Sequence, residues 1–562
     1  MVKVIKKRTL LWLLLLIGGV WLAAGVIRST RTSATHTNTL ISSDRLYQHT
    51  KYLASDELTG RLSGTPGAEK AAEYIAREFA RLGVSAPDGY QKYQQTFSFV
   101  SGIDLGRNNQ LAIGSGADSG LGRELRLSQE FMPTAFSVSG HFQGGAAFAG
   151  FGISAANLNY DDYLDLDVKG QFVFVLRYGP DGNDQHSQFH RHHALRYKAL
   201  TAREKGASGI VYIDDQEEFS KSTLSKLRYD AEFADSGIAA VAVSLPVARE
   251  LFRTVGQDLD GLKKSIMAGK KPRSVSLPNL YLSLRTELHK ITKGTANVVG
   301  VLHGNGDRLK EEAIVIGAHY DHLGLGEMGS LSEKRGHEIH NGADDNASGT
   351  AGLLELAKVF ALRREELKRS LVFVAFSGEE EGLLGSKHYV SHPPIPLEKT
   401  VAMVNMDMIG RMKGNRLTVG GSGSSPLWKE LLGRLEQGSR LELKYDDDGY
   451  GPSDHASFYA KDIPVLFFFT GVHQDYHRPT DDYDKINLAG QQAVLELVFE
   501  AVMNVSQQDI RPLFSKVKES PAARGRGEFR VYLGTIPEYG EEVEGVKLSG
   551  VRDGSPAAKA GL

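Results

Sequence analysis

Cysteine is absent from all 562 residues. No disulfide framework, thiolate zinc finger, iron–sulfur cluster or cysteine nucleophile can form, so any metal must be held by His, Asp and Glu. An excess of either charge is also missing. The 66 basic and 68 acidic residues leave a net charge of −2, which gives no reason to expect nucleic acid as a partner. With 41% apolar and 24% charged residues, the chain is neither wholly disordered nor collagen-like. Internal repeats are not found either. What is present is length for roughly four domain-sized units and 18 histidines.

The N-terminus carries a sorting pattern. Lys3, Lys6, Lys7 and Arg8 precede an uncharged run from Leu10 to Ile27. As a helix that run spans about 27 Å, just enough for a hydrocarbon core. The basic flank belongs on the cytoplasmic side, so the remainder is expected to be extracytoplasmic. Two readings stay open over residues 1–30. One is a retained membrane anchor. The other is a cleaved signal peptide, with Ala23 and Gly25 as the nearby small pair, and a secreted or periplasmic product. Residues 31–43, rich in Ser and Thr, read as a linker.

From Asp44 to about Gly83 the pattern is helical, with Ala71, Ala72, Ile75, Phe79 and Leu82 near helical spacing. Between 135 and 283 short apolar runs alternate with turns, which predicts a separate, mostly β insert. After Asn297 strands and helices alternate. Strands are predicted at 297–302, 313–318, 371–376, 401–406 and 465–469, and helices at 347–367, 426–437 and 487–505. The fold class that follows is α/β, a mostly parallel central sheet sandwiched by helices. Residues 511–527 read as a linker, and 528–562 as a partial β segment.

Acidic and histidine residues fall where these strands end. They are His319 and Asp321 after 313–318, Asp344 and Asp345 before helix 347–367, Glu379 and Glu380 after 371–376, Asp407 after 401–406, and Tyr476, His477 and Asp481 after 465–469. Open α/β sheets bind ligands at the carboxyl ends of their strands. Clustered carboxylates would take up protons unless cations sit among them. Two divalent metals resolve this, because zinc accepts imidazole nitrogen and carboxylate oxygen and keeps a position open for water.

The strings Gly-Ala-His319-Tyr-Asp321, Asn-Gly-Ala-Asp344-Asp345-Asn-Ala-Ser-Gly, Gly-Glu379-Glu380-Glu-Gly-Leu-Leu-Gly-Ser, Asn-Met-Asp407-Met-Ile-Gly and Tyr476-His477-x-Pro-x-Asp481 occur in that order. In this the chain resembles the co-catalytic di-zinc aminopeptidases, the superfamily that includes glutamate carboxypeptidase and the transferrin receptor. The resemblance covers about 44–134 and 284–510, taken together as one zinc-exopeptidase domain. It implies two Zn2+ ions, with Mn2+ or Co2+ as possible substitutes. His319 and Asp407 would bind one ion, Glu380 and His477 the other, and Asp344 would bridge them, followed by a cis peptide. Glu379 would be the general base acting on a metal-bridging water or hydroxide. Asp321 would orient His319, and Asp481 would orient His477. Tyr476, Asp454, His455 and Arg411 are candidate substrate contacts. The implied activity is removal of N-terminal residues from peptides with a free N-terminus.

The insert 135–283 resembles a protease-associated domain, through 148–153, 168–175 and 205–211. Residues 528–562 resemble the first half of a PDZ domain, which would bind peptide termini if completed. Other readings stay open: a carboxypeptidase-type relative, for which Arg411 and Arg478 could hold a carboxylate, a glutaminyl cyclase, or a non-catalytic scaffold. Three further motifs are set aside. The histidines at 186, 190, 192 and 193 lack acidic partner strings. His337-Glu338-x-His340 is one residue short of a zinc-helix motif, and no helix opens at Gly324-x-Gly326-x-x-Gly329.

Overall fold

The computed structural model describes residues 40–115, 122–184, 187–227, 236–332, 334, 336–517, 535–538, 547–551 and 556–560. The signal or anchor segment and most of the 31–43 linker lie outside them. Among the described residues no helix is long and apolar enough to cross a membrane. The described residues form two compact units, one from those up to Gln95 and from Ala296 onward, the other from those within Thr96–Thr295.

The first unit holds helices α1 (Ser43–Leu53) and α2 (Pro66–Arg81), the part of strand β1 (Leu288–Leu302) from Ala296 onward, strand β2 (Ala313–His319) and helix α3 (Gly349–Leu362). Then come β3 (Ser370–Phe376), α4 (Leu384–Ser391), β4 (Thr400–Met406), β5 (Arg416–Gly420), α5 (Pro426–Gln437) and β6 (Glu442–Tyr445). The last three are α6 (His455–Tyr459), β7 (Val465–Phe469) and α7 (Leu488–Gln507). The strands lie in the order β1-β3-β2-β4-β7-β5-β6. The four central strands β3, β2, β4 and β7 are mutually parallel, while β1 and β5 join them antiparallel.

Every residue of β2, β3 and β4 is buried, as expected of parallel strands covered on both faces. Ile314, Ile316 and Ala318 share one core with the apolar faces of α2, α3 and α7. Val315, Val372 and Val374 share the opposite core with Tyr389 of α4 and Phe458 of α6. Because the central strands point the same way, the residues after their last turns gather on one edge. That edge receives His319–Asp321, Glu379–Glu380, Asp407 and the loop to His477.

Three expectations are corrected here. The helical stretch read from Asp44 to Gly83 is two helices, parted by a turn where Thr59, Gly60 and Arg61 take φ of 47°, 72° and 51°. A Cβ on Gly60 would lie 2.4 Å from the Gly324 carbonyl oxygen, so the close approach of two loops requires glycine there. Helix α3 stops at Leu362 rather than 367, in a short 3₁₀ turn over Arg364–Glu366. The linker read from 511 packs down as far as Val517. Phe514 lies 5.3 Å from the Tyr459 ring, Ser515 N–H donates to Ser424 O at 2.8 Å, and Val517 N–H donates to Tyr459 Oη at 3.1 Å. Further on, Thr535–Glu538 and Lys547–Val551 pair antiparallel ahead of a short helix, Pro556–Lys559.

The second unit is wider than 135–283 and less purely β. Its eight-stranded sheet also takes in Gln110–Ser115, Arg123–Leu125 and Phe131–Pro133, which precede residue 135. Phe172–Leu176, Gly209–Ile213 and Ala239–Val243 run parallel within it. Helices Leu195–Glu204, Leu245–Thr254 and Leu259–Gly269 accompany them. Short buried runs read as β from sequence, but the parallel crossovers between them need helices.

Candidate active site

His319 closes β2. Its Nδ1 lies 3.2 Å from the Asp321 carbonyl oxygen and 3.7 Å from the Asp321 carboxylate. A proton on Nδ1 donated there leaves the Nε2 lone pair facing inward, the tautomer a metal ligand needs. Nε2 lies 3.3 Å from Asp407 Oδ1 and 3.4 Å from Asp345 Oδ1. The other oxygen of Asp345 lies 3.2 Å from His477 Nε2, which is itself 3.4 Å from Glu380 Oε2. His477 Nδ1 meets the Gly329 carbonyl at 2.9 Å, which orients that ring in turn. Among the described residues, two groups of donor atoms converge closely enough to hold an ion: His319 with Asp345 and Asp407, and His322 with Asp345 and Glu380.

Asp345 belongs to both groups, so the shared carboxylate is Asp345 and not Asp344. The Asp344 carboxylate turns away. Its Oδ1 accepts from Gly410 N–H at 2.6 Å and Ser348 Oγ at 3.0 Å, and Oδ2 lies 3.2 Å from His473 Nε2. The two residues are adjacent, and Asp345 is near-extended at φ −106°, ψ 95°. Neighbouring side chains then face opposite ways, so only one of the pair can enter the site. The cis peptide is Asp345–Asn346, one residue later than the resemblance implies.

Asp481 is also reassigned. Its Oδ2 accepts the N–H groups of Asp344 and Asp345 at 2.9 and 3.1 Å, so it holds the loop that carries the shared carboxylate and leaves His477 to Gly329. Asp321 sits behind His319, with its carbonyl oxygen nearer to Nδ1 than its carboxylate. It does more, accepting from the backbone N–H of Glu379 at 3.3 Å and of Glu380 at 3.4 Å. Glu379 Oε2 lies 3.9 Å from His319 Nε2 and belongs to neither donor group.

The electrostatics are those of a site short of positive charge. Burial pushes the Glu379 carboxyl well above the carboxylate range; His319 opposes this, while Asp407, Glu380 and Asp454 add to it. Burial raises Asp407 as well. Burial would also raise Glu380, but His477 and His322 outweigh it and hold Glu380 well below its usual value. His319 is pushed down by burial, yet Asp407 and Glu379 carry it well above the imidazole range. Protons and imidazolium ions here offset charge that divalent cations would neutralise. Imidazole nitrogens, carboxylate oxygens and a shared carboxylate form a donor set that fits a pair of zinc ions.

The outer candidates separate. Tyr476 stacks on His477 with ring centroids 3.9 Å apart. Asp454 is fully buried, and neither of its carboxylate oxygens has a hydrogen-bond partner. It makes no side-chain cap to α6. His455 stacks on Phe467 at 4.3 Å, and burial lowers its pKa to about 3. Arg411 is engaged by Asp475 at 2.9 Å and faces Asp481 at 3.7 Å. Arg478 is exposed.

Three residues escaped the sequence reading. His322 Nδ1 lies 2.6 Å from Glu380 Oε1. Ser453 Oγ donates to Asp407 Oδ2 at 2.8 Å. Arg61, in the turn between α1 and α2, donates to the Tyr320, Asn341 and Gly342 carbonyls. Nothing in spacing could reveal these, since each partner lies far off in the chain or needs a side-chain direction. Of the motifs set aside, His340 is buried against Ser330 Oγ at 2.7 Å, and Gly324, Gly326 and Gly329 lie in a loop. His186 lies outside the described residues. His190, His192 and His193 keep buried ring nitrogens without partners, but they join no converging donor group among the described residues.

Residues 297–502 match the model of Peptidase family M28. The chain is similar to Aminopeptidase YwaD of Bacillus subtilis (strain 168), 28% identical over 330 residues that cover 56% of this chain and 66% of that protein. It is also similar to a probable leucine aminopeptidase of Trichophyton verrucosum (strain HKI 0517), 31% identical over 189 residues, 32% of this chain and 50% of that protein. The chain thus spans from half to just under two thirds of the length of these curated relatives. Among solved structures, an aminopeptidase from Aneurinibacillus sp. strain AM-1 aligns over 86% of this chain and 96% of its own, with 22% identity and a TM-score of 0.49. Five ordered motifs and two donor groups that share one carboxylate fall within residues 297–502, the stretch that is similar to Peptidase family M28.

Proposed function

We propose that the chain is a zinc-dependent aminopeptidase that removes N-terminal residues from peptides. The observation that carries this is the pair of donor groups joined through Asp345, with the Glu379 carboxyl beside them and outside both. His319 and Asp407 would hold one zinc, His477 and Glu380 the other, and Asp345 both. His322, 2.6 Å from Glu380, would steady that carboxylate. When bound, the two ions supply Lewis-acid polarisation of the scissile carbonyl and acidify a water.

Glu379 does the proton work. Its carboxyl, outside both donor groups and 3.9 Å from His319, is placed to accept a proton from water and return it to the leaving amine. Asp321 fixes the backbone under Glu379 and Glu380, so base and ligand keep their spacing. A free substrate ammonium is drawn to the acidic cluster, which favours N-termini. Of the two arginines that could hold a free substrate carboxylate, Arg411 is committed to Asp475 and Arg478 is exposed. An extracytoplasmic location belongs to the same reading, supported by the basic and apolar order of the N-terminus.

The test is hydrolysis of a dipeptide amide with a free N-terminus against its N-acetylated twin, by the full chain loaded with zinc. Cleavage of the free-amine substrate alone, lost on chelation, is expected. Equal inactivity on both, with two zinc ions bound, would overturn the reading.

A further inference from the structure

Arg61 lies well outside residues 297–502, yet it is fully buried beneath the ligand loops. Its Nε–H donates to the Tyr320 carbonyl at 2.7 Å, between His319 and Asp321. Its NH1 donates to the Asn341 carbonyl at 2.7 Å and to the Leu53 carbonyl at the end of α1. NH2 donates to the Gly342 carbonyl at 3.0 Å. The guanidinium fork therefore clamps the two backbone segments that present His319 and Asp345. The main chain closes the same joint, for His322 N–H donates to the Arg61 carbonyl at 3.3 Å and Gly324 N–H to the Gly60 carbonyl at 3.0 Å.

No carboxylate among the described residues pairs with this guanidinium. Burial lowers its pKa to about 10, against the raising fields of Asp321, Asp345, Asp481 and Glu380. It therefore stays charged at neutral pH and sends positive potential into the carboxylate cluster. A planar fork fixes carbonyl positions in a way that a point charge cannot.

We propose that Arg61 is a positioning residue for the metal centre. Its guanidinium sets the separation of His319 from Asp345 and offsets part of the negative charge around them, so that the N-terminal helices take part in building the site. The proposal rests on the peptidase reading for its kinetic arm only. Its other arm is zinc affinity, which stands whatever the substrate.

Arg61 sits at φ 51°, where glycine is at ease, so Arg61→Gly removes the fork without straining the turn. The full chain is titrated with zinc against a chromophoric chelator. Arg61→Gly is expected to bind at least one zinc about tenfold to a hundredfold more weakly, the loss typical of groups that orient ligands. The kcat falls while KM changes by less than about threefold. Guanidinium at tens of millimolar restores part of both, and Arg61→Lys falls between the two. Wild-type zinc affinity in Arg61→Gly overturns the proposal. So does a loss that neither guanidinium nor lysine recovers in any part, for the role is then structural alone. If Arg61→Gly does not fold, Arg61→Lys decides, since weakened zinc binding supports the clamp and wild-type binding overturns it. A wild-type chain that binds two zinc ions and cleaves nothing overturns the peptidase reading and leaves the affinity arm intact.

Discussion

At the scale of single residues, the site turns on which of two neighbouring aspartates faces inward. Asp345 shares its oxygens between His319 and His477, while Asp344 is spent on Gly410 and Ser348. Asp345→Asn is therefore expected to lose bound zinc, measured by elemental analysis after dialysis. Asp344→Asn keeps its zinc and costs about 1–3 kcal/mol of stability, as expected for a disturbed buried hydrogen-bond acceptor. The reverse pattern would return the shared role to Asp344. Glu379 lies in neither donor group. Glu379→Gln should keep its bound zinc and lose about 10²–10⁴-fold in kcat, the range of general acid–base catalysis. A variant within tenfold of wild type would take the proton transfer away from Glu379. The resemblance gave the shared role to Asp344, whereas the structure turns Asp345 inward. The sequence could not show which, because side-chain direction in an irregular loop follows from local φ and ψ.

At the scale of elements, strand ends position the chemistry and helices hold the strands. The buried runs of β2, β3 and β4 were legible because parallel strands covered on both faces are apolar throughout. Strands β5 and β6 were not. Glu442 and Lys444 break the apolar character of the edge strand β6, and Arg416 that of β5 beside it, where side chains meet solvent. Helix α1 carries a pH-sensitive contact. His49 lies in the core with Nδ1 2.7 Å from Tyr74 Oη and Nε2 3.4 Å from Arg45. Burial, then the Arg45 charge, lowers its pKa from 6.5 to about 4. The unfolded chain therefore binds a proton between these values and the folded chain does not, so stability falls as pH drops through that window. The loss is of order 3 kcal/mol by pH 4. Urea unfolding at pH 7 and pH 4.5 should show a destabilisation that His49→Gln removes from the pH dependence. An equal slope in the variant would place the acid sensitivity elsewhere.

At the scale of the molecule, folding brings carboxylates from five separate segments to one sheet edge at an electrostatic cost. Cations relieve it, so ligand linkage makes the metal part of the fold. Zinc at about a hundredfold excess over its Kd should add roughly 2.7 kcal/mol per site. Thermal scans of the chelated and zinc-loaded chain test this, and identical midpoints would deny the ions any part in stability. The second unit also shows the reach and limit of the sequence. A separate insert was visible as a change in texture near residue 135. Its start at Thr96 was hidden, because Gln110–Ser115, with Arg123–Leu125 hairpinned onto it, joins the rest of the sheet only through long-range pairing with Ser274–Thr286.

What the sequence by itself determined is chemical. Without cysteine, metal ligands must come from His, Asp and Glu, and their order along alternating strands and helices placed them at the carboxyl ends of a parallel sheet. Periodicity and residue type are local properties, and they survive without coordinates. What only the tertiary structure decided is directional. Asp345 faces both histidines, Asp481 grips the 344–345 backbone, Gly329 orients His477, and Arg61 joins two loops nearly 260 and 280 positions away in the chain. Such contacts depend on where a side chain points and which distant backbone meets it, and both are fixed only when the packed core sets each strand end against its neighbours.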